Sequence, residues 1–248
     1  MPCLHAIFSY PWRKWLTKAA LLAGGHGSRL YPLTSYVPKC MIPIGGKPFL
    51  DYVFDYLKKH GVTDVVLLAS NDDGEVYRNY YGDGDRIGVR VSYSIAARTG
   101  TAGALHDAEG LFTETFIVYY GDVLTDFNLS EMIRFHSEKK SICTIALSRS
   151  VPLDFGVGKI DQDGRLIFFK EKPVLPEYPA SMGIYVFEPK VLRYCGHNLD
   201  IASDVIPKLI QDRLPVHGYV TDRIHYDIGT FKSLDAIKKM LERSSEKS

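Results

Sequence analysis

The chain has 248 residues, a mass of 27.9 kDa, 46% hydrophobic residues and a formal net charge of +1. This length and apolar content suit one large α/β domain, and the near-zero charge argues against nucleic acid or a membrane surface as a partner. The four cysteines lack the paired spacing of a zinc site or a disulfide framework, which fits a cytoplasmic location, and no apolar run approaches the roughly 20 residues of a membrane-spanning helix.

Residues 1–17 precede the first predicted strand and contain both tryptophans of the chain. Basic residues followed by the apolar run 19–23 superficially resemble a signal peptide, but that run is short and glycines interrupt it. We interpret residues 1–17 as an N-terminal extension. It is either a disordered tail or translation-start artefact, or an aromatic arm that packs on the domain or on a neighbouring subunit. Residues 18–248 are expected to form a single domain.

From residue 18 onward, short apolar runs alternate with helical patterns. Predicted strands cover residues 19–23, 65–69, 89–94, 116–120, 142–147, 157–160, 166–170, 182–187 and 216–220. Predicted helices cover about 47–60, 73–81, 101–108, 129–140, 201–211 and 230–241. This alternation predicts an α/β fold with three layers, in which a mostly parallel, doubly wound sheet binds ligands beyond the carboxyl ends of its strands. The sequence has no hexapeptide repeats, so no C-terminal β-helix is expected.

A glycine-rich stretch follows the first predicted strand. Gly24, Gly25 and Gly27 come directly after the apolar run, and two cations, Arg29 and Lys39, come next. Glycines let the backbone turn sharply and bring its N–H groups close to an anion. Arginine can fork onto phosphate oxygens and lysine can act as a movable point charge. The stretch therefore predicts a polyphosphate site, and the simpler alternative is a glycine-rich surface turn with incidental charges.

Two common phosphate-binding motifs do not fit this stretch. A Walker loop requires a Lys followed by Ser or Thr after its glycines, and none is present. A dinucleotide fingerprint requires a third glycine at the start of a helix, whereas this chain continues into Arg29-Leu30-Tyr31-Pro32.

The motifs that surround these glycines, taken together, identify a protein family more specifically than the glycines alone. The chain reads L-A-G-G-H-G-S-R-L-Y-P-L-T at 22–34, P-K-C-M-I-P-I at 38–44 and G-K-P at 46–48. These motifs resemble the opening signature of the sugar-1-phosphate nucleotidylyltransferases, also called nucleotide-sugar pyrophosphorylases. The resemblance implies a Rossmann-like nucleotide-diphospho-sugar transferase fold. It also implies transfer of a nucleotidyl group from a nucleoside triphosphate to a sugar-1-phosphate, with release of pyrophosphate.

The resemblance also assigns residues on the nucleotide side. Arg29 would bind the pyrophosphate and Lys39 the α-phosphate, and both are expected to be catalytic together with Asp122. The G-T-A-G-A at 100–104 resembles a motif of guanylyl-type and heptose-type relatives. The expected nucleotide-binding residues are Leu22, Ala23, Gly24, Gly25, Gly27, Ser28, Gly100 and Thr101. The base stays open between guanine and thymine or uracil, because residues 95–97 lack the side-chain acceptor that some relatives carry.

Two aspartates are expected to hold Mg²⁺. Asp122 follows a predicted buried strand in a Gly-Asp pair, and Asp227 lies in a D-I-G motif before the last predicted helix. Hard carboxylate oxygens suit Mg²⁺, and in the family these two positions bind the catalytic metal. The simpler alternatives are a turn at Asp122 and a helix cap at Asp227, although Thr230 is better placed to cap. The Asp83-Gly84-Asp85 triplet is interpreted as a turn and not as a metal site.

On the sugar side, the E-K-P at 171–173 matches a family motif. The resemblance implies that Lys172 binds the sugar phosphate, that Glu171 accepts sugar hydroxyls, and that Gly156 allows close approach of the backbone. Ser181 stands where relatives usually have Asn, so the accepted sugar can differ from theirs. Glucose-, mannose- and heptose-1-phosphate stay open.

Other functions are compatible with the same scaffold. A cytidylyltransferase acting on a non-sugar phosphate such as phosphocholine would differ only in its acceptor pocket, and a non-catalytic nucleotide-sugar sensor would keep the nucleotide site. A glycosyltransferase of similar topology is disfavoured, because no credible D-x-D metal motif is present. Self-association into a homo-oligomer is left open.

Overall fold

The structure is a computed structural model that describes residues 18–153, 155–223 and 226–245. The interpretation of residues 1–17 lies outside these ranges. In chain order, the strands are β1 (Lys18–Leu22), β2 (Pro43–Ile44), β3 (Lys47–Pro48), β4 (Asp64–Ser70), β5 (Arg90–Ala96), β6 (Phe116–Tyr120), β7 (Val123–Leu124), β8 (Cys143–Ser148), β9 (Val157–Ile160), β10 (Leu166–Lys170), β11 (Ala180–Phe187), β12 (Val216–Thr221) and β13 (Tyr226–Asp227). The α-helices are α1 (Phe49–Lys59), α2 (Gly74–Tyr81), α3 (Gly100–Asp107), α4 (Leu129–Glu138), α5 (Ile206–Gln211) and α6 (Phe231–Ser245).

A seven-stranded sheet in the order β12-β8-β11-β6-β1-β4-β5 forms the centre of the described chain. Strand β11 is antiparallel to both of its neighbours, and the other pairs in the sheet are parallel. The predicted mostly parallel sheet is therefore confirmed. Strands β1, β4 and β6 lie next to one another at the middle of the sheet, so the segments that follow them meet at one edge.

Apolar residues cover both faces of this sheet. Along β1, Ala19 and Leu21 belong to a core with α1, α2, α4 and α6, whereas Ala20 belongs to a second core with α3 and α5. Successive strand residues point to opposite faces, so one apolar run supplies both cores. This arrangement confirms the three-layer, doubly wound fold. Within the described ranges, no helix is both long and apolar enough to span a membrane.

Several predicted helix boundaries need correction. Lys47–Pro48 pairs with β2 as a short strand, so α1 begins at Phe49. The predicted helix 201–211 is a π-helical turn, Ile201–Val205, followed by α5, and the helix predicted over 129–140 ends at Glu138. The last helix begins at Phe231, after Thr230, whose Oγ1 accepts the N–H of Ser233 at 3.1 Å as a cap.

Two small pairs of strands lie outside the central sheet. Strand β13 pairs with β7, which sets Asp227 opposite Val123. Strands β9 and β10 form a separate antiparallel hairpin, which we call the β9–β10 ribbon. Its turn closes with a hydrogen bond from the Gly164 N–H to the Asp161 carbonyl at 3.1 Å, as the Asp-Gly sequence predicts. The Asp83-Gly84-Asp85 triplet likewise forms a turn.

Candidate active site

A cavity of about 360 Å³ opens beyond the carboxyl ends of β1, β4 and β6. Its wall consists of the ends of these strands, the segments that follow them and β5, and the residues Lys39, Cys40 and Asp200. The lining residues are Leu22, Ala23, Gly24, Gly25, His26, Lys39, Cys40, Leu68, Ala69, Ser70, Ala97, Arg98, Thr99, Gly100, Thr101, Ala104, Tyr120, Asp122 and Asp200. The structure therefore brings eight of the predicted site residues together: Leu22, Ala23, Gly24, Gly25, Lys39, Gly100, Thr101 and Asp122.

The glycine loop is held against the sheet by its backbone. Ala23 extends the hydrogen bonding of β1, because its N–H donates to the Leu68 carbonyl at 2.9 Å. A Cβ on Gly24 would lie 3.2 Å from the Ser70 nitrogen, so the loop passes closely over the end of β4. At Gly25 the same position is open space. The loop thus exposes bare backbone to the cavity, as phosphate binding by N–H groups requires.

Gly27 and Ser28 lie beside the cavity and do not line it. Gly27 has a φ of +60°, and a Cβ there would lie 2.7 Å from Thr34 Cγ2. Its carbonyl accepts the hydroxyl of Thr34 at 3.0 Å, and Ser28 begins a 3₁₀ turn that the sequence did not predict. These two residues shape the loop, and their predicted contact with nucleotide stays a prediction.

Arg98 also holds the glycine loop in place. Its Nε donates to the Gly24 carbonyl at 3.0 Å, and its other nitrogens form ion pairs with Asp72 and Asp73. Two carboxylates balance the guanidinium charge, so Arg98 positions the loop. Sequence reasoning missed this role. The available signal was an Arg and two Asp residues that follow neighbouring predicted strands.

Lys39 and Asp122 form an ion pair at the floor of the cavity. Their side chains are 11% and 27% exposed, so both are largely withdrawn from bulk water but reach the cavity. The next residue, Cys40, is buried behind this pair, and burial followed by the negative charge of Asp122 raises its pKa to about 12. The thiol stays protonated at neutral pH and offers no nucleophile.

The two predicted metal ligands lie on paired backbone segments. The Ile228 N–H donates to the Asp122 carbonyl at 3.0 Å, next to the β7–β13 pair that carries Asp227. Asp227 Oδ1 accepts the Gly229 N–H at 2.6 Å. Arg29 reaches the same turn, since its Nη2 lies 3.0 Å from where a Cβ on Gly229 would be. Arg29 and Asp227 therefore flank one glycine, although neither lines the cavity itself.

This donor set fits Mg²⁺ better than a transition metal. Among the described residues, no group of three or more His, Cys, Asp or Glu side chains could hold a metal ion. Magnesium does not need such a group, because it typically binds through one or two carboxylates, with water and substrate phosphates as its other ligands. Asp122 and Asp227 would supply that number of hard oxygen ligands.

The start of α3 is locked to the segment before the π-helical turn. Gly100 has a φ of +84°, and a Cβ there would lie 2.2 Å from the Leu199 carbonyl oxygen. Thr101 Oγ1 donates to Asp200 Oδ2 at 2.6 Å and accepts the Ile201 N–H at 2.9 Å. Sequence reasoning missed Asp200, because a contact between residues 99 positions apart leaves no local pattern.

The predicted sugar-side residues are not among those that line this cavity. Gly156 and Glu171 come together at one end of the β9–β10 ribbon, where a Cβ on Gly156 would lie 2.7 Å from Glu171 Oε2. Lys172 follows β10 with a φ of +45°, and Ser181 lies in β11, where its Oγ accepts the Gly183 N–H at 3.4 Å. None of the four belongs to the described cavity wall. Their roles stay predictions.

Known proteins resemble this chain in sequence and in structure. The chain is 34% identical to a UTP–glucose-1-phosphate uridylyltransferase of Synechocystis sp. over 91% of its own length and 64% of that protein. It is 33% identical to a D-glycero-alpha-D-manno-heptose 1-phosphate guanylyltransferase of Aneurinibacillus thermoaerophilus, over 86% of its own length and 93% of that protein. A Bacillus anthracis structure solved in complex with sucrose superposes with a TM-score of 0.73 at 26% identity, over 91% of this chain and 94% of that one.

The lengths of these relatives differ. This chain spans less than two thirds of the Synechocystis protein and of several other curated relatives, but nearly the whole of the heptose-phosphate enzyme. The model of the nucleotidyl transferase family matches residues 18–244, which include the glycine loop, both aspartates and the ribbon. The chain therefore belongs to the nucleotidyl transferase family.

Proposed function

We propose that the protein transfers a nucleotidyl group from a nucleoside triphosphate to a sugar-1-phosphate, forming an NDP-sugar and pyrophosphate. The observation that carries this proposal is that the bare glycine loop and the Lys39–Asp122 pair line the same cavity. The names of the relatives, which act on glucose- and heptose-1-phosphate, support the same reaction.

The proposed reaction is an in-line displacement at phosphorus. An oxygen of the sugar phosphate attacks the α-phosphorus, and the bond between this phosphorus and the oxygen leading to the β-phosphate breaks. No covalent enzyme intermediate forms, so the protein contributes positioning and neutralisation of charge. The glycine loop would cradle the triphosphate with its N–H groups, and Arg29 would neutralise the departing pyrophosphate.

Lys39 is suited to the α-phosphate because its ammonium group has three donors. Its ion pair with Asp122 holds the ammonium group at the cavity floor. On nucleotide binding, one N–H can stay on Asp122 while another reaches a phosphate oxygen. The low exposure of the pair favours this use, since charges act more strongly where water is excluded.

Asp122 and Asp227 would hold Mg²⁺ in this proposal. When bound, the ion would neutralise negative charge on the phosphates of the nucleotide. The β7–β13 pairing keeps the two carboxylate-bearing segments adjacent, and the hydrogen bond from Gly229 fixes one oxygen of Asp227. These contacts would fix the positions of the two carboxylates before the metal and nucleotide bind.

On the sugar side, we propose Lys172 for the incoming phosphate, Glu171 for sugar hydroxyls, and Gly156 and Ser181 for the rest of the acceptor pocket. The donor nucleotide is GTP, or UTP or dTTP. We also propose a cytoplasmic location, with which the free, buried thiols of Cys40, Cys143 and Cys195 agree.

A coupled assay tests the proposed reaction. Purified protein with Mg²⁺ is incubated with each nucleoside triphosphate and a panel of sugar-1-phosphates and phosphocholine, and pyrophosphate is measured through added pyrophosphatase. We expect release that needs both a triphosphate and a sugar-1-phosphate. Release with CTP and phosphocholine alone would favour the cytidylyltransferase alternative. Binding of nucleotide or NDP-sugar without turnover of any pair would favour a sensor.

Arg29→Ala in the same assay tests the role given to the first cation. We expect kcat to fall on the order of 10²–10³, the usual cost of removing one group that stabilises developing charge. Arg223→Ala is the matched control, because Arg223 is an exposed arginine that pairs with Asp126 away from the cavity. Equal kcat for Arg29→Ala and wild type would remove Arg29 from the mechanism.

A further inference from the structure

The start of the glycine loop uses its carbonyl groups and leaves its N–H groups free. The Ala23 carbonyl accepts the Tyr77 hydroxyl at 3.1 Å, and the Gly24 carbonyl accepts Arg98 Nε at 3.0 Å. Among the described residues, by contrast, the N–H groups of Gly24 and Gly25 have no acceptor, although both glycines line the cavity. Backbone N–H groups are strong donors, so two free ones in a cavity wall suit an anion.

The two occupied carbonyls set the direction of the two free N–H groups. The peptides that join residues 23–24 and 24–25 are trans, and in a trans peptide the C=O of one residue and the N–H of the next point in opposite directions. The Gly24 N–H therefore points away from the Tyr77 hydroxyl, and the Gly25 N–H points away from Arg98 Nε. A flip of either peptide would put a carbonyl oxygen, with its partial negative charge, in place of a donor.

Tyr77 can affect the cavity only through the backbone. It lies in α2, its side chain is fully buried, and it does not line the cavity. Its hydroxyl also forms a hydrogen bond with the thiol of Cys40. The protonated thiol can donate to the phenol oxygen while the phenol proton goes to the Ala23 carbonyl. One buried hydroxyl thus connects the glycine loop to the 3₁₀ turn that carries Lys39.

Arg98 is held on the side away from the loop. Asp72 and Asp73, which directly precede α2, both form ion pairs with its guanidinium, and Asp73 Oδ2 also accepts the Ser70 hydroxyl at 2.9 Å. These carboxylates balance the charge and fix the plane of the guanidinium. What Arg98 gives to the loop is therefore a directional hydrogen bond to Gly24.

We propose that Tyr77 and Arg98 are positioning residues that preset the N–H groups of Gly24 and Gly25 for the phosphates of the nucleotide. The role rests on the proposed function, because it requires that the cavity bind a nucleoside triphosphate. Before the nucleotide binds, the two side chains hold both peptides in the orientation that presents donors. Binding then loses no affinity to a population of loops that present a carbonyl oxygen instead.

Tyr77→Phe tests this role, since it removes one hydroxyl and keeps the buried ring. The probe is whichever of GTP, UTP and dTTP the wild type binds most tightly in calorimetry with Mg²⁺ and without sugar phosphate. Loss of one net hydrogen bond lets the other orientation of the peptide become populated, so we expect the dissociation constant of the triphosphate to rise about three- to tenfold. The dissociation constant of the matching nucleoside should not change, because it has no phosphate.

Tyr56→Phe is the matched control for the buried hydroxyl. The Tyr56 hydroxyl donates to the Phe127 carbonyl at 2.9 Å, and neither residue lines the cavity. This variant should bind the triphosphate as the wild type does. An equal rise of the dissociation constant in Tyr56→Phe and Tyr77→Phe would mean that any lost buried hydroxyl has this effect, and it would overturn the proposal.

Arg98→Lys gives a second test that does not depend on a buried ring. Lysine keeps the positive charge, but its ammonium group cannot reproduce the planar fork that reaches Gly24 and both carboxylates. We expect the same selective rise for the triphosphate, whereas Arg90→Lys, at an exposed arginine paired with Asp64, should have no effect.

The outcomes separate this role from the proposed function. If the wild type binds no triphosphate, the proposed function is wrong and the positioning role falls with it. If the wild type binds and turns over a triphosphate but Tyr77→Phe and Arg98→Lys bind it equally well, only the positioning role is wrong. An equal loss of affinity for the nucleoside would also overturn the role, because the change would then lie outside the phosphate contacts.

Discussion

The cavity and the β9–β10 ribbon differ in how they are connected to the central sheet. The cavity wall follows buried central strands, and backbone bonds such as that from Ala23 to Leu68 fix its loops before any ligand binds. The ribbon carries Gly156 just before β9 and Glu171 just after β10, and in the described chain these two strands do not pair with the central sheet. Phosphate chemistry is thus assigned to the rigid part of the molecule. The proposed sugar side depends on a segment that stands outside the central sheet.

The largest expected effect comes from a substitution in the cavity wall. Asp122→Asn keeps the shape of the side chain but removes the charge that pairs with Lys39 and the proposed metal ligand. We expect kcat for pyrophosphate release to fall on the order of 10²–10³. Asp126→Asn is the matched control, because Asp126 is a nearby aspartate whose side chain is 68% exposed and pairs with Arg223. Wild-type kcat in Asp122→Asn, at an unchanged melting temperature, would contradict the assigned role.

A smaller effect is expected on the ribbon side. Lys172→Ala removes a charged donor proposed for the sugar phosphate, and such a bond contributes about 1.5–3 kcal/mol, or roughly 10- to 100-fold. We expect KM for the sugar-1-phosphate to rise by that factor while KM for the nucleotide stays unchanged. Lys170→Ala, at the exposed end of β10 two residues before Lys172, is the control. An equal rise in both KM values would place Lys172 on the nucleotide.

Much of the rigid side could be predicted from the sequence. A strand buried on both faces is a continuous apolar run, so β1, β4 and β6 were recognisable, and the glycines and Lys39 lie in one contiguous signature. Arg98 and Asp200 were not recognisable, because each acts through partners that are distant in sequence. The 3₁₀ turns Ser28–Leu30 and Lys39–Met41 were missed as well, since single turns have no repeating apolar pattern.

The β9–β10 ribbon is a feature whose position in the fold could not be predicted from sequence patterns. Leu166–Lys170 is as apolar as a core strand, and the sequence correctly predicts that it is extended. The local sequence does not show whether such a strand joins the central sheet or stands outside it. An apolar run indicates that a strand is suited to burial, but it does not identify the segment that would cover it. In the described chain, the apolar side chains of Leu166–Phe169 stay more than half exposed.

The smallest expected effect uses two glycines to compare the regions directly. A Cβ on Gly100 would lie 2.2 Å from a backbone oxygen of Leu199, at a φ of +84°, whereas a Cβ on Gly156 would lie 2.3 Å from the tip of the exposed Phe169 ring. The Leu199 backbone next to Gly100 cannot move aside for a Cβ, but the Phe169 ring next to Gly156 can. We expect Gly100→Ala to lower the free energy of unfolding in urea by about 1–3 kcal/mol. Gly156→Ala should change it by less than about 0.5 kcal/mol.

Gly110 supplies the internal control for this pair, because a Cβ there would meet nothing within 4 Å. Gly110→Ala should therefore leave the free energy of unfolding close to that of the wild type. If Gly156→Ala proved as destabilising as Gly100→Ala, the Phe169 ring could not move aside, and the ribbon would be as rigid as the cavity wall. The two regions would then respond alike to an added Cβ, and the inferred difference in rigidity between them would be wrong.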